Sequence, residues 1–596
     1  MLSAASPGLP RAPATRLDPR LVFWLILALS AATLYPVADV LGTIQHLRVR
    51  DTDDAMRLVG VRDLVAGQGW YDNVQHRFLP PGGVASHWSR LVDAPLAGSI
   101  LALTPLLGRP LAEGLTAALW PPLLLALYGV ILFLGVRRCL NPRAAALAVL
   151  AALQTLGLVG QFTVGRVDHH NLQILAMLGL AFCLVRGGLV PAFLGGALAA
   201  LSLAIGLEGL PTLALAALFL VGDWIARGWP ALAGLTGFGL GLGLGAALLF
   251  GLQTAPALWG TTACDALSPP WLWLAVGGMI ATLTCAIFDR HLTRWNGRLA
   301  LAAGLGVALG AGFAALFPIC LGGPFPGMPA LVHERWLRAV SEMMSVPAFI
   351  AKGRPEILAF YPPLVAAALA AAWAVRYGPA TQRRYFLVVS LFLWPGLIVG
   401  WDQFRGTYIA AGFIPLVAGP AIDRALTLLE ATEVTLRRRI GASLLAASLV
   451  STIWSLPAYA LAFLRAAEPT PEGLPCQAES SVSPLAALPP GTILAPINMG
   501  PAILLHTPHA IVAAPYHRAI PGLIAAIEGL GGSEADLRRQ MTARGATYLV
   551  TCPTKPVPDL GAETAFATRL TTGAVAVPWL EPVPVAGTGL KVWLMR

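Results

Sequence analysis

Apolar runs of up to about twenty residues, nearly free of charge, recur along most of the chain between short polar turns. A run near twenty residues crosses the roughly 30 Å hydrocarbon core of a bilayer as a helix. The pattern predicts spans near 21–42, 114–135, 143–162, 172–185, 189–206, 210–223, 231–252, 271–288, 299–318, 356–375, 385–400, 406–422 and 441–464, about thirteen crossings. The apolar stretch Pro95–Gly108 is short for a crossing and reads as an interfacial or re-entrant piece. After residue 465 the pattern changes in kind. A Pro-rich stretch at 466–490 precedes short apolar runs, such as Ala510–Val512 and Thr547–Thr551, with a helical pattern at Ser533–Arg544 between polar turns. This predicts a membrane domain over residues 1–464 and a small α/β domain over 465–596.

Composition agrees. Of 596 residues, 56% are hydrophobic and 12% charged, about half the charged share of a soluble domain. So few charges cannot cover a water-soluble surface of this size. The expected fold class is an all-α polytopic membrane protein with a small C-terminal extramembrane domain. The 62 glycines suit close helix packing.

The formal charge of +10 reflects the positive-inside rule rather than a nucleic-acid partner. With a cytoplasmic N-terminus, the even-numbered connections collect Arg137–Arg138, Arg186, Arg227, Arg290/Arg294/Arg298, Arg376/Arg383/Arg384 and Arg437–Arg439. The non-cytoplasmic face then receives the long loops 43–113 and 319–355 and the C-terminal domain. Arg11, Arg16 and Arg20 precede the first run, which ends in no convincing cleavage site and reads as an uncleaved helix. The expected location is the inner or plasma membrane. The seven cysteines form no CxxC or zinc spacing; Cys476 and Cys552 share the polar C-terminal region, where a disulfide is open to them.

Three acidic clusters fall on that one face: Asp51-Thr-Asp53-Asp54, Gly165-Arg-Val-Asp168-His169-His170, and Val340-Ser-Glu342. Each has an ordinary structural use, as a solvated helix cap, an N-cap or a loop acid. Gathered at one site they would repel one another, and carboxylates with imidazole suit a cation such as Mn²⁺ or Mg²⁺.

Here the chain resembles a known family. Asp51–Gly67 followed by His87-Trp88-Ser-Arg90-Leu-Val-Asp93 is similar to the first external loop of oligosaccharyltransferase catalytic subunits, which are GT-C membrane glycosyltransferases. Val164–Ile174 (VGRVDHHNLQI) resembles their second acidic motif in its archaeal DHH form. Ala339–Glu342 resembles the SVSE/TIxE motif, and Phe404-Arg405-Gly-Thr-Tyr408 the RF-x-x-Y segment. The resemblance implies a GT-C-like domain that moves a sugar from a polyprenyl-phosphate or -pyrophosphate donor. It implies Asp53, with Asp54 and Asp51 ranked behind it, as metal ligand and base-like residue, and Asp168 and His170 completing a metal site for Mn²⁺ or Mg²⁺. Glu342 would lie beside them as catalytic residue or ligand. Arg405 and Tyr408, with His87 and Arg90, would face the donor phosphate, and His333, Arg335 and Arg338 are further candidates. A fork of Arg donors matches phosphate oxygens, and transfer needs a base and a neutralised leaving group.

The chain departs from the family in its C-terminal domain, which has no WWD-type motif and only Trp579 and Trp593 as tryptophans. The acceptor is therefore a glycan, a lipid or a protein. Ala514–Arg518 (APYHR) reads as a structural turn or a substrate contact. Protein glycosylation of the oligosaccharyltransferase kind is one alternative reading, and a transporter or lipid flippase another. A flippase would bury charge within its spans, which here are almost free of it. No Asp-Glu pair marks the first loop as in protein O-mannosyltransferases, and a catalytically silent scaffold would not need the acids.

Overall fold

The computed structural model describes residues 19–465, 476–553 and 565–596. Arg11, Arg16 and the first part of the Pro-rich stretch, residues 466–475, lie outside the described residues. Eight described helices are long and apolar enough to cross a membrane, and twelve if each of four bent pairs counts as one span. The shorter apolar helices His170–Arg186 and Leu189–Ile205 pack among them. The chain is an integral, multi-pass membrane protein of mainly helical build. The expected spans 21–42, 143–162, 406–422 and 441–464 are each broken, with bends of 43°, 64°, 54° and 80°. The first break falls at Pro36, whose ring cannot continue the helix.

Glycine sets the tightest helix contact. In Trp229–Gln253 glycines alternate at 237, 239, 241, 243 and 245. A Cβ on Gly241 would overlap the Phe193 carbonyl, and one on Gly196 would overlap that of Phe238. Only hydrogen at these positions lets Leu189–Ile205 and Trp229–Gln253 meet backbone to backbone.

Three of the basic clusters meet at one end of the bundle. Arg384 donates to Leu184 O and to Asp223, which also holds Arg227, and Arg298 donates to Trp224 O. His170 begins at the other end of its helix, about 25 Å from Arg186 for seventeen residues. Arg90–Leu107, the expected interfacial piece, is an 18-residue helix that also meets the length and composition of a span. It packs along the polar helix Thr52–Val65: Arg90 donates to Gly60 O, and Arg109, just past its far end, to Arg62 O. Both ends thus lie against one loop helix.

The C-terminal domain is a five-stranded mixed sheet with helices. The first loop holds a two-stranded ribbon, β1 (Val74–Gln75) and β2 (Val84–Ala85). The domain's strands are β3 (Thr492–Leu494), β4 (Ala510–Ile511), β5 (Tyr548–Thr551), β6 (Leu580–Pro582) and β7 (Lys591–Met595), in the order β4-β3-β5-β7-β6. β3 is parallel to β4 and β5, while β7 is antiparallel to β5 and β6. Cys476 and Cys552 are bonded, and so are Cys264 and Cys320, a pair that spacing did not suggest.

The first loop and this domain share a core. Phe78 pairs with Ile511 at the edge of β4 through Leu79 N→Ile511 O and Ile511 N→Arg77 O. Arg77 donates to Leu504 O and Thr507 O, and Arg62 to Leu505 O. Val59, Phe78, Trp88, Ile503 and Tyr516 belong to one buried cluster. The domain is therefore built onto the loop that carries Asp51–Asp54.

Candidate active site

The three first-loop acids have three different environments. Asp51 caps the helix Thr52–Val65 by accepting from Asp53 N. Asp54 is buried; its Oδ1 accepts from Val167 N at 2.9 Å and Asp168 N at 3.0 Å, pinning the second acidic turn. Arg166 Nη1 lies 2.5 Å from Asp51 and 3.2 Å from Asp54. Asp53 receives one hydrogen bond among the described residues, from the Tyr516 hydroxyl at 3.2 Å.

The second turn can form because Gly165 adopts φ +77°, a left-handed conformation that glycine takes without strain. It delivers Asp168, which has no exposed side-chain surface, between Arg57 at 3.5 Å, Arg166 at 3.7 Å, His169 Nδ1 at 2.7 Å and His170 Nε2 at 3.4 Å. Arg57, also fully buried, is held by Asp93 at 2.8 Å and stacks on Trp88. Sequence reading passed over Arg57.

Across the site stands a second wall. The Tyr408 hydroxyl donates to Glu342 at 3.0 Å and its ring meets the His170 ring edge-on. Glu208, between two helices, receives Arg405 at 3.5 Å and Gln173 at 3.4 Å and lies 3.6 Å from His169 Nε2. Arg405 is partly exposed into a cavity of about 240 Å³ that His87, His169, Glu208, Phe325, His517 and Arg518 also line. A second cavity of about 430 Å³ runs past Asp53, Glu342, Arg335, Asn498 and Tyr516.

The remaining candidates lie at the margins of these cavities or outside them. Arg90 lines the first cavity but spends both Nη atoms on Asp93, Gly60 O, Gln68 and Asp72 O, the geometry of a loop clamp. His87 packs on His517, and burial pushes its imidazole well below the usual range, so it is neutral. His333 and Arg338 are exposed.

Charge decides the character of the site. Burial, then the charges of Asp51, Asp168 and Glu342, push Asp53 well above the carboxylate range, and burial carries Asp54 up to about 7 against the pull of Arg166. Burial followed by Asp51 raises Glu342. Burial would also raise Asp168, but His169, His170 and Arg166 hold it well below the ordinary value. His169, which burial alone would neutralise, is carried up to about 10 by Asp168 and Glu208 and stands as an imidazolium.

Burial and mutual repulsion disfavour charge on Asp53, Asp54 and Glu342 together, and a divalent cation would offset that repulsion. The donor atoms are suited as well. Asp168 Oδ2 is buried without a hydrogen bond, His170 Nδ1 is likewise unpartnered, and the ligand atoms of Asp168, His169 and His170 lie within 4.8 Å of one another. His169 Nδ1 is already engaged by Asp168, leaving His170 as the freer imidazole.

No family model matches the sequence, and no curated protein resembles it by sequence. Solved structures do resemble it in fold. The archaeal oligosaccharyltransferase AglB of Archaeoglobus fulgidus, solved with an inhibitory peptide and a dolichol-phosphate, superposes with a TM-score of 0.63 at 13% identity, covering 89% of this chain and 69% of that one. The same enzyme with an acceptor peptide tethered gives 0.59 at 13% identity over 89% and 69%. With zinc and sulfate it gives 0.57 at 13% identity over 89% and 67%. The chain has the fold of the GT-C membrane glycosyltransferases.

Proposed function

We propose that this chain is a GT-C glycosyltransferase that moves a sugar from a polyprenyl-phosphate or -pyrophosphate donor to an acceptor at the non-cytoplasmic membrane face, assisted by a divalent cation. One observation carries the reading: Asp53 and Glu342, from two separate loops, line one cavity with Arg405, which also lines the neighbouring cavity with His169, whose partner Asp168 is buried beside His170.

Arg405 and His169 present positive charge to a donor phosphate from one side. A groove of about 450 Å³, lined almost wholly by apolar side chains, runs among the helices from 210 to 309 and shares Leu203 with the Arg405 cavity, so a lipid chain can lie in it with its phosphate at Arg405. In the second cavity an acceptor hydroxyl or amide meets Asp53 and Glu342. Its oxygen or nitrogen attacks the anomeric carbon, the bond from that carbon to phosphate oxygen breaks, and the acceptor proton passes to a carboxylate. Asp53, Asp168 and His170 would hold Mn²⁺ or Mg²⁺, which when bound would neutralise charge on the leaving phosphate.

One AglB structure carries an inhibitory peptide and another a tethered acceptor peptide, but here both C-terminal-domain tryptophans are packed inside the domain, Trp579 with its indole N–H on Glu534. They are not offered to a peptide, and a glycan or lipid acceptor fits better. The test is to incubate purified protein with a polyprenyl-phosphate sugar, candidate acceptors and Mn²⁺. Protein-dependent, chelator-sensitive release of polyprenyl phosphate supports the reading, and unchanged donor with every acceptor contradicts it.

A further inference from the structure

The segment Ala514–Arg518 reaches from the C-terminal domain into the site, and its hold there is more elaborate than a turn requires. The Tyr516 ring packs edge-on against Trp88 and Phe78 of the first loop, at 5.2 and 6.2 Å between centroids. His517 and Arg518 both grip Asp265, at 2.6 Å for the imidazole and 2.7 and 2.8 Å for the guanidinium, and Arg518 also donates to Ser86 O. Asp265 follows Cys264, which is bonded to Cys320, and Phe325 from that second loop lies on the His517 ring. Three loops therefore clamp one short segment. What the clamp delivers is a single hydroxyl, that of Tyr516, to Asp53 Oδ1.

The neighbouring acids need no such help. Asp51 is fixed by Arg166 and its own helix, and Asp54 by Arg166 and two backbone N–H groups. Asp53 faces the repulsion of Asp51, Asp168 and Glu342 and has, among the described residues, Tyr516 as its hydrogen-bond partner. A carboxylate repelled by its neighbours turns away unless a donor holds it.

We propose that Tyr516 is a positioning residue that holds the Asp53 carboxylate toward Asp168 and Glu342, so that the C-terminal domain supplies part of the catalytic centre. This rests on the transferase reading above for the word catalytic, though not for the geometry. Tyr516→Phe is the informative variant, because it keeps the packed ring and deletes only the hydroxyl.

Two measurements on the full-length protein test it. Mn²⁺ binding, followed by the loss of the free-ion electron paramagnetic resonance signal without donor, should weaken about tenfold in Y516F, the range expected when a hydrogen bond to a charged group is removed. In the transfer assay kcat should fall by about the same factor, with the donor KM within about twofold. Wild-type Mn²⁺ affinity and wild-type kcat in Y516F overturn the proposal. So does a drop in thermal stability with Mn²⁺ affinity unchanged, since that marks packing alone. If the wild type transfers no sugar, the transferase reading fails, while the Mn²⁺ measurement still decides whether Tyr516 orders Asp53.

Discussion

Arg166 stands between Asp51 and Asp54, a single Nη1 within 2.5 Å of one carboxylate and 3.2 Å of the other. The arginine and Asp54 are buried, so this is the joint between the first loop and the DHH turn. Replacing Arg166 by Ala leaves Asp51, Asp54 and Asp168 short of a counter-charge. Breaking a buried pair in this way costs about 3–5 kcal/mol. Denaturation in detergent should show a loss of that order for Arg166→Ala and a smaller one for Arg166→Lys, which keeps the charge but not the fork.

Asp53 and Asp54 are adjacent in sequence and should respond oppositely to the same change. Asp54→Asn keeps an acceptor for the two backbone N–H groups but turns an amide donor towards the Arg166 guanidinium in place of the Oδ2 acceptor, and stability should fall by about 1–3 kcal/mol. Asp53→Asn removes a carboxylate that burial and like charges disfavour, so the metal-free protein should be as stable as wild type or more so. Turnover should nonetheless be lost. Thermal midpoints without metal, set beside transfer rates, separate the two.

The second acidic turn, the Glu342 loop and the Arg405 segment could be read as a set because each carries its chemistry within a few adjacent residues. The partners that complete them could not. Glu208 is a lone acid between the runs 189–206 and 210–223, an odd-numbered connection on the same face as the other acids, and that signal was available. Arg57 and Asp93 lie 36 residues apart and Tyr516 and Asp53 463 apart; such pairs depend on how loops fold over one another, which no local pattern records. The Cys264–Cys320 bond is of the same kind. Among the described residues eight to twelve candidate spans stand against the thirteen expected. They include Arg90–Leu107, which the pattern left out, and not the shorter helices at 172–185 and 189–206, and four are broken, since a run of apolar residues reports burial in lipid and not straightness.

Acid should loosen the contact between the first loop and the C-terminal domain through His506. Burial lowers its imidazole to about 4, with Glu479 opposing and Arg62 adding to the shift. The folded value lies below that of the unfolded chain, about 6.5, so the unfolded chain binds the proton more tightly. Stability is complete above about pH 6.5 and declines as pH falls towards 4, by at most about 3 kcal/mol. His506→Gln should flatten the pH dependence of the thermal midpoint between pH 7 and 4 without touching the site.

Transfer of labelled sugar from a polyprenyl-linked donor by wild type, Asp168→Ala and Glu342→Ala, each first shown to be folded, tests the central claim most directly. Two carboxylates from separate loops are held to act on one reaction. Each substitution should therefore lower the rate by about a hundredfold or more, in the range set by losing acid–base catalysis or charge stabilisation. Turnover at the wild-type rate in either folded variant would contradict it.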